Sequence, residues 1–242
     1  MKIKIIINPL KSWAAKLAKE VEALLTKNGY PIVKKNADTT ICIGGDGTIL
    51  YANYSGNLEG NILGIGSERS YICQLHIKNW KDKLLSILKT KTDDIFVLQY
   101  EIKNGIKTIK KGTAINDAVV HSDNYRVIQL SVSINNKKND FRADGVIVSS
   151  AVGTTGYAYS AGGKKLSPTS KKMEVVPIAP YRRMFKPQLI DPKSIVKISA
   201  ERDCAFIVDG IYVKKLKPDE VVIIKQNGAL KFFKGVGWYE QG

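Results

Sequence analysis

Two glycines, an acid, a third glycine and a hydroxyl stand in a row at residues 44–48, straight after the apolar run Ile41-Cys42-Ile43. Gly44, Gly45 and Gly47 let the backbone turn sharply and come close to a ligand, since no Cβ intervenes. Ile49, Leu50, Tyr51 and Ala52 can open a helix, whose free N–H groups and dipole favour phosphate. Thr48 adds a hydroxyl to that cradle. Asp46 is out of place in a loop that only holds anions, because its charge repels them. Its chemistry is that of a group meeting a metal ion or a hydroxyl to be phosphorylated. A tight strand–helix turn capped by an aspartate is the structural alternative.

Such a loop needs a strand before it and a helix after it. Ile3–Ile7 reads as a first strand, and Trp13, Leu17, Val21, Leu24 and Leu25 mark the buried face of a helix ended by Gly29. Pro31–Val33, Thr40–Ile43 and Asn61–Ile65 read as short strands, and Trp80, Leu84, Leu85 and Leu88 as another helix face. Alternating strands and helices argue for a parallel sheet, with ligands beyond the carboxyl ends of its strands, where Asp46 falls. From about Ile95 the pattern turns all-β. Phe96–Lys103 and Ile106–Ile109 form a hairpin around Asn104-Gly105. Strands are expected at Ala114–His121, Val127–Ile134, Val146–Ser149, Val175–Ile178, Val196–Ser199, Ala205–Val208 and Val221–Lys225. Turn signals at Asn135-Asn136, Asp191-Pro192 and Asn227-Gly228 separate them, and a sandwich is expected.

The 242 residues suffice for one large or two modest domains, and 44% apolar with 25% charged residues is ordinary for a globular chain. No apolar run approaches the roughly 18–20 residues of a membrane span, so no membrane association is expected. The opening Met1–Asn8 alternates and is too short for a signal peptide. Cys42, Cys73 and Cys204 are odd in number and widely spaced, as buried thiols of a reducing cytoplasm would be. With His76 and His121 as the only histidines, a histidine metal site or triad is not expected. The net charge of +16 attracts polyanions, yet the lysines are scattered, the densest cluster being Lys214, Lys215 and Lys217. A solvated lysine-rich surface is the reading, with no specific nucleic-acid partner.

Three more segments give the loop a context. Residues 115–117 read Ile-Asn-Asp, 207–210 read Ile-Val-Asp-Gly, and 141–163 run from Phe-Arg-Ala-Asp-Gly through Gly-Thr-Thr-Gly-Tyr to Ala-Gly-Gly. In this order, with the glycine–aspartate loop and the closing Val236-Gly237-Trp238, the set resembles the NAD kinase family from about residue 40 to residue 238. The first motif alone is shared with lipid kinases and phosphofructokinases; the 141–163 segment is far more specific. The resemblance implies a Rossmann-like α/β domain at 1–95, rejoined by a tail from about 226 to 242, and a β-sandwich domain that binds NAD at 96–225.

It also implies roles. Asp46 would orient the 2′-hydroxyl of the adenosine ribose of NAD or accept its proton, while Gly44, Gly45, Gly47 and Thr48 hold phosphates. Asn116 and Asp117 match the pair that holds a ribose, with Asp117 in place of the family's Glu. Asp144 matches an acid that meets an amino group of a base or carboxamide, and Arg142 would lie near the new 2′-phosphate. Thr154, Thr155, Gly156 and Tyr157 form a polar turn into a helix, Tyr157 able to stack on a ring. Asp209 matches the late aspartate near the nicotinamide or ribose end. The donor would be ATP or polyphosphate with Mg2+ carried on its phosphates, so no protein metal cage is expected. Relatives form dimers or tetramers, which makes a homo-oligomer the expectation. The chain departs from the family at Gly66–Ile72, where an Asn and a glycine pair are replaced, at Val152 for a threonine, and at Gly156 for an alanine. The rival readings are a related lipid or polyol kinase, and a non-catalytic NAD(P)- or nucleic-acid-binding protein on the same fold.

Overall fold

The computed structural model describes residues 1–124 and 126–234; the Val236-Gly237-Trp238 motif lies outside them. The chain divides into two compact units, Met1–Ile95 with the described part of Leu230–Gly242, and Phe96–Ala229.

The first unit holds β1 (Ile3–Ile7), α1 (Ser12–Lys27), β2 (Thr39–Ile43), α2 (Asp46–Tyr54), β3 (Asn61–Gly66), β4 (Leu75–His76) and α3 (Trp80–Ile87). Strands β1, β2 and β3 pair in parallel, Ile5 against Ile41 and Ile41 against Leu63. Every residue of β2 is buried, as a central parallel strand covered on both faces must be. Leu17, Val21 and Leu25 of α1 and Trp80, Leu84 and Ile87 of α3 join Ile41, Ile43, Leu63 and Ile65 in one apolar cluster. Burying each such side chain contributes about 1.5–3 kcal/mol. Trp13 and Leu24, expected on the buried face of α1, are only partly covered. The expected strand at Pro31–Val33 is reduced to a single bridge, Ile32 to Ile3. Near the end of the described chain, Phe232 pairs in parallel with Ile62.

The second unit contains β5 (Thr92–Asn104, which starts in the first), β6 (Lys107–Ala114), β7 (Asp117–His121), β8 (Ile128–Ile134), β9 (Lys137–Ala143), β10 (Gly145–Ser149), the short α4 (Tyr157–Ser160), β11 (Met173–Ile178), β12 (Gln188–Ile190), β13 (Ile195–Ala200), β14 (Cys204–Val208), β15 (Ile211–Leu216) and β16 (Glu220–Phe233). One sheet runs β12-β11-β10-β7-β14-β15 and is antiparallel throughout. The other is built from β16, β13, β8 and β9, with the β5–β6 hairpin beside β16. Tyr100 of β5 meets Phe206 of β14 edge-on at 5.1 Å between ring centres, so the two sheets share a core. Asn135 and Asn136 both take positive φ and close the β8–β9 hairpin. Asn227-Gly228 is not the expected turn: β16 continues through it, with Gly228 at φ 84° bending the strand rather than ending it. The lysine cluster is not a bare basic patch either. Lys214 pairs with Glu220, Lys215 with Asp123 and Asp203, and Lys217 with Asp203.

Candidate active site

Each unit holds its own cluster of the expected residues. In the first, β2 ends at Ile43 and the chain turns through Gly44 and Gly45 into α2, whose first residue is Asp46. Gly44 has φ 146°, and a Cβ there would strike the Thr48 hydroxyl and the Asn8 side chain. The Asp46 carboxylate is gripped by backbone. Its Oδ2 accepts the Tyr71 N–H at 2.7 Å, and its Oδ1 accepts those of Ile72 at 2.9 Å and Cys73 at 3.3 Å. Oδ2 takes one amide and Oδ1 two, so Oδ2 keeps more acceptor capacity for a hydroxyl. Burial, then the neighbouring Asp46 charge, holds the Cys73 thiol well above its ordinary pKa, so it stays protonated.

Sequence reasoning missed what holds those amides in place. Gln74, almost fully buried, accepts the Gly64 N–H on Oε1 and donates from Nε2 to the Ile72 carbonyl. Gln74 therefore ties the 71–73 turn to β3. The Gly66–Ile72 segment thus supplies two of the amides, from Tyr71 and Ile72, that hold Asp46. The available signal was its place directly after the strand beside β2.

In the second unit Asn116, Asp117, Tyr157 and Asp209 line one cavity of about 450 Å³, with Val119 and Ile207 on its apolar side. That volume is in the range of small-ligand sites. Asn116 Oδ1 is buried with no hydrogen-bond partner in the protein. An orphaned acceptor beside a cavity is an anchor for a ligand donor. Asp209, which lines the same cavity, also holds backbone. Its Oδ2 accepts the Ile115 N–H at 2.9 Å, and its Oδ1 those of Asn116 at 2.7 Å and Asp117 at 3.2 Å. Its carboxylate therefore fixes the Asn116-Asp117 backbone, a demand met at φ 51° beside Gly210.

Burial pushes Asp117 up to about 7, and the charge of Asp209 adds to it. Burial also raises Asp209 to about 6, against the pull of its three amides. With those donors Asp209 is the better-stabilised anion, and Asp117 releases its proton at the higher pH of the two.

The remaining expected residues divide. Tyr157 is 43% exposed and presents its ring to the cavity. Thr154 is fully buried: its hydroxyl donates to the Ala151 carbonyl and accepts the Leu166 N–H, so it pins a turn instead of facing a ligand. Thr155 bonds the Val152 carbonyl, and Gly156 precedes α4. Val152 is itself buried in the short 3-10 turn Val152–Thr155. Ser150, a second residue sequence reasoning missed, donates to the Ile115 carbonyl and accepts the Gly153 N–H. Asp144, half-buried between β9 and β10, raises the Tyr157 pKa together with burial and Asp117. Arg142 is exposed on β9 and lies over the Tyr181 ring at 5.2 Å.

Comparison with known proteins agrees with this pattern. The profile of the ATP-NAD kinase C-terminal domain matches residues 115–234. A NAD kinase of Picrophilus torridus is 32% identical over 98% of this chain and 89% of its own, and one of Treponema denticola is 30% identical over 93% and 88%. The chain belongs to the NAD kinase family. Its fold is that of yeast NADH kinase, solved with NADH (TM-score 0.88, 18% identity, 99% of this chain and 85% of that one). It is equally that of an Archaeoglobus fulgidus NAD kinase solved with ATP (TM-score 0.83, 22% identity, 99% and 96%).

Two outcomes follow for the family's paired carboxylates in this chain. Asp209→Ala strands three amides and lowers unfolding free energy by about 2–3 kcal/mol in urea titration. Asp117 carries a raised pKa, so stability falls as pH climbs from about 4 towards about 7. Asp117→Asn removes that penalty: the variant melts several degrees above the parent at pH 8, at about 2–4 °C per kcal/mol, and the gap closes by pH 4–5. A gap that stays constant with pH would show that Asp117 ionises normally.

Proposed function

We propose that the protein transfers the terminal phosphoryl group of ATP to the 2′-hydroxyl of the adenosine ribose of NAD, giving NADP. The carrying observation is the unpartnered Asn116 Oδ1 beside Asp117 in the second unit's cavity. An amide acceptor and a carboxyl group together suit vicinal ribose hydroxyls, which both donate and accept. Tyr157 supplies a flat apolar face for a ring. Asp46 Oδ2 is the group for the reacting hydroxyl, and the amides from 71–73 hold it in one orientation. Phosphoryl transfer asks little covalent chemistry of a protein; it needs in-line positioning and neutralised charge. The 44–48 backbone and Thr48 hydroxyl supply donors for the phosphates.

Mg2+ fits this donor set as an ion carried on the nucleotide. Among the described residues no three His, Cys, Asp or Glu side chains gather into a cage. An ion that keeps its waters and binds phosphate needs none, and Asp46 is the carboxylate within the loop that would meet its hydration shell. When bound, it neutralises phosphate charge. Arg142, exposed beside Tyr181, is the cation for the product 2′-phosphate. We place the enzyme in the cytoplasm and as a homodimer or homotetramer; its three cysteines are free and buried. No helix among the described residues is long and apolar enough to cross a membrane.

Incubation with NAD, ATP and Mg2+, with NADP read by an NADP-specific dehydrogenase, tests the reading. Asp46→Asn lowers kcat by about 100-fold or more, the scale of a positioned acid–base group, while the Kd for NAD changes little. Unchanged turnover would remove Asp46 from the chemistry. Binding of NAD without any NADP formation by the parent protein would favour a non-catalytic dinucleotide-binding role.

A further inference from the structure

Of the two buried glutamates among the described residues, Glu220 takes the Lys214 ammonium, whereas Glu174 takes a backbone amide. Glu174 stands on β11 and is 1% exposed. Its Oε1 and Oε2 both accept the Lys164 N–H, at 2.9 and 3.1 Å. Burial raises its pKa, against the pull of that amide and of the Lys164 charge. No step assigned above uses this group. A carboxylate out of water on a single amide costs stability that an apolar side chain at the same position would not. Its use lies in what that amide belongs to.

Lys164 ends the strap that closes α4. The Gly162 and Gly163 amides bond back to the Tyr159 and Ala158 carbonyls, both at 2.9 Å. Gly163 lies between helix and sheet: a Cβ there would stand 2.5 Å from Glu174 Oε2, 2.8 Å from the Ala158 oxygen and 3.0 Å from Val176 Cγ2. α4 is four residues long, and so short a helix does not hold its place unaided. Ala158 seats it on Val119, Ile147 and Val176, a contact of one methyl group on its side. Further along the strap, the Leu166 N–H reaches the Thr154 hydroxyl in the turn before the helix. Tyr157, the first residue of α4, lines the cavity with Asn116 and Asp117. The sheet register carries the same relation. Glu174 stands opposite Ser149 and Ser149 opposite Asp117, so one row of side chains runs from the strap to the cavity.

We propose that Glu174 is a positioning residue for the dinucleotide: by pinning the 162–164 strap to β11 it fixes α4, and with it the place of the Tyr157 ring at the cavity. The inference rests on the reading of that cavity as the NAD site. With no acceptor at position 174, the strap and α4 shift on the sheet and the ring no longer covers its ligand. Glu174 touches neither substrate, so affinity for NAD changes and turnover at saturation does not.

Isothermal titration of the full chain with NAD, beside the NADP assay, tests it. Glu174→Leu weakens NAD about tenfold, the upper scale of one aromatic stack, and leaves kcat at saturating NAD within about twofold. Glu174→Gln, whose amide oxygen still accepts the Lys164 N–H, binds NAD within about threefold of the parent. Should Glu174→Leu fail to fold, Gly163→Ala displaces the strap from its other side with the carboxylate kept, and has the same selective effect. In a Tyr157→Leu background, Glu174→Leu adds less than about twofold, because the ring it positions is gone. Full additivity in that background overturns the inference. So does parental NAD affinity in a Glu174→Leu variant that melts as a folded protein, or in Tyr157→Leu. The kinase reading fails separately: a parent that binds NAD and makes no NADP overturns that reading alone, while the titrations still decide the role of Glu174.

Discussion

A carboxylate withdrawn from water must recover its hydrogen bonds from somewhere, and in this protein it takes them from the backbone of a neighbouring turn. Two carboxylates, one in each unit, take three amides apiece. Asp46 draws in the amides of residues 71–73, and Asp209 those of residues 115–117. A side chain held by three amides of another segment cannot change rotamer without leaving buried donors unpaired. Each carboxylate therefore fixes a second piece of chain as firmly as it is fixed itself. The glycine loop and the 115–117 segment are each held in place for the same reason.

The consequences differ because the third group in each case differs. Beside Asp46 lies the Cys73 thiol, kept protonated by burial. Beside Asp209 lies a second carboxyl, Asp117. Two like charges in a buried place do not both ionise, and the one with amide donors takes the charge. Asp117 therefore holds its proton to the higher pH of the two, beside the orphaned acceptor of Asn116.

The fold was largely legible because burial leaves a period in the sequence. Ile3–Ile7, Thr40–Ile43 and Asn61–Ile65 read as parallel strands from their apolar runs, and the β-rich half from its spaced turns. Asn135-Asn136 closed a hairpin as its composition predicts, while Asn227-Gly228, chemically as good a turn, became a bend within β16. Local chemistry permits a turn at both places. Pairing on either side of the bend, with β13 at Ile195–Ile198 and with Ile62 at Phe232, keeps that strand going. The site residues divided in the same way. Asn116, Asp117 and Tyr157 line a cavity, and Asp46 opens α2. Thr154 and Asp209 carry equally suitable side chains, yet these are turned inward to hold backbone.

The sequence by itself determined the family, the order of strands and helices, and the residue types able to handle phosphate and ribose. Those features are written in short-range spacing: three glycines around an acid, an Asn-Asp pair, a long glycine- and hydroxyl-rich segment. Tertiary structure alone decided which of two buried aspartates releases its proton at the higher pH, and that residues 71–73, before Gln74, hold Asp46. Each depends on groups brought together across tens of residues, and desolvation and pairing are properties of that meeting, not of any one position along the chain.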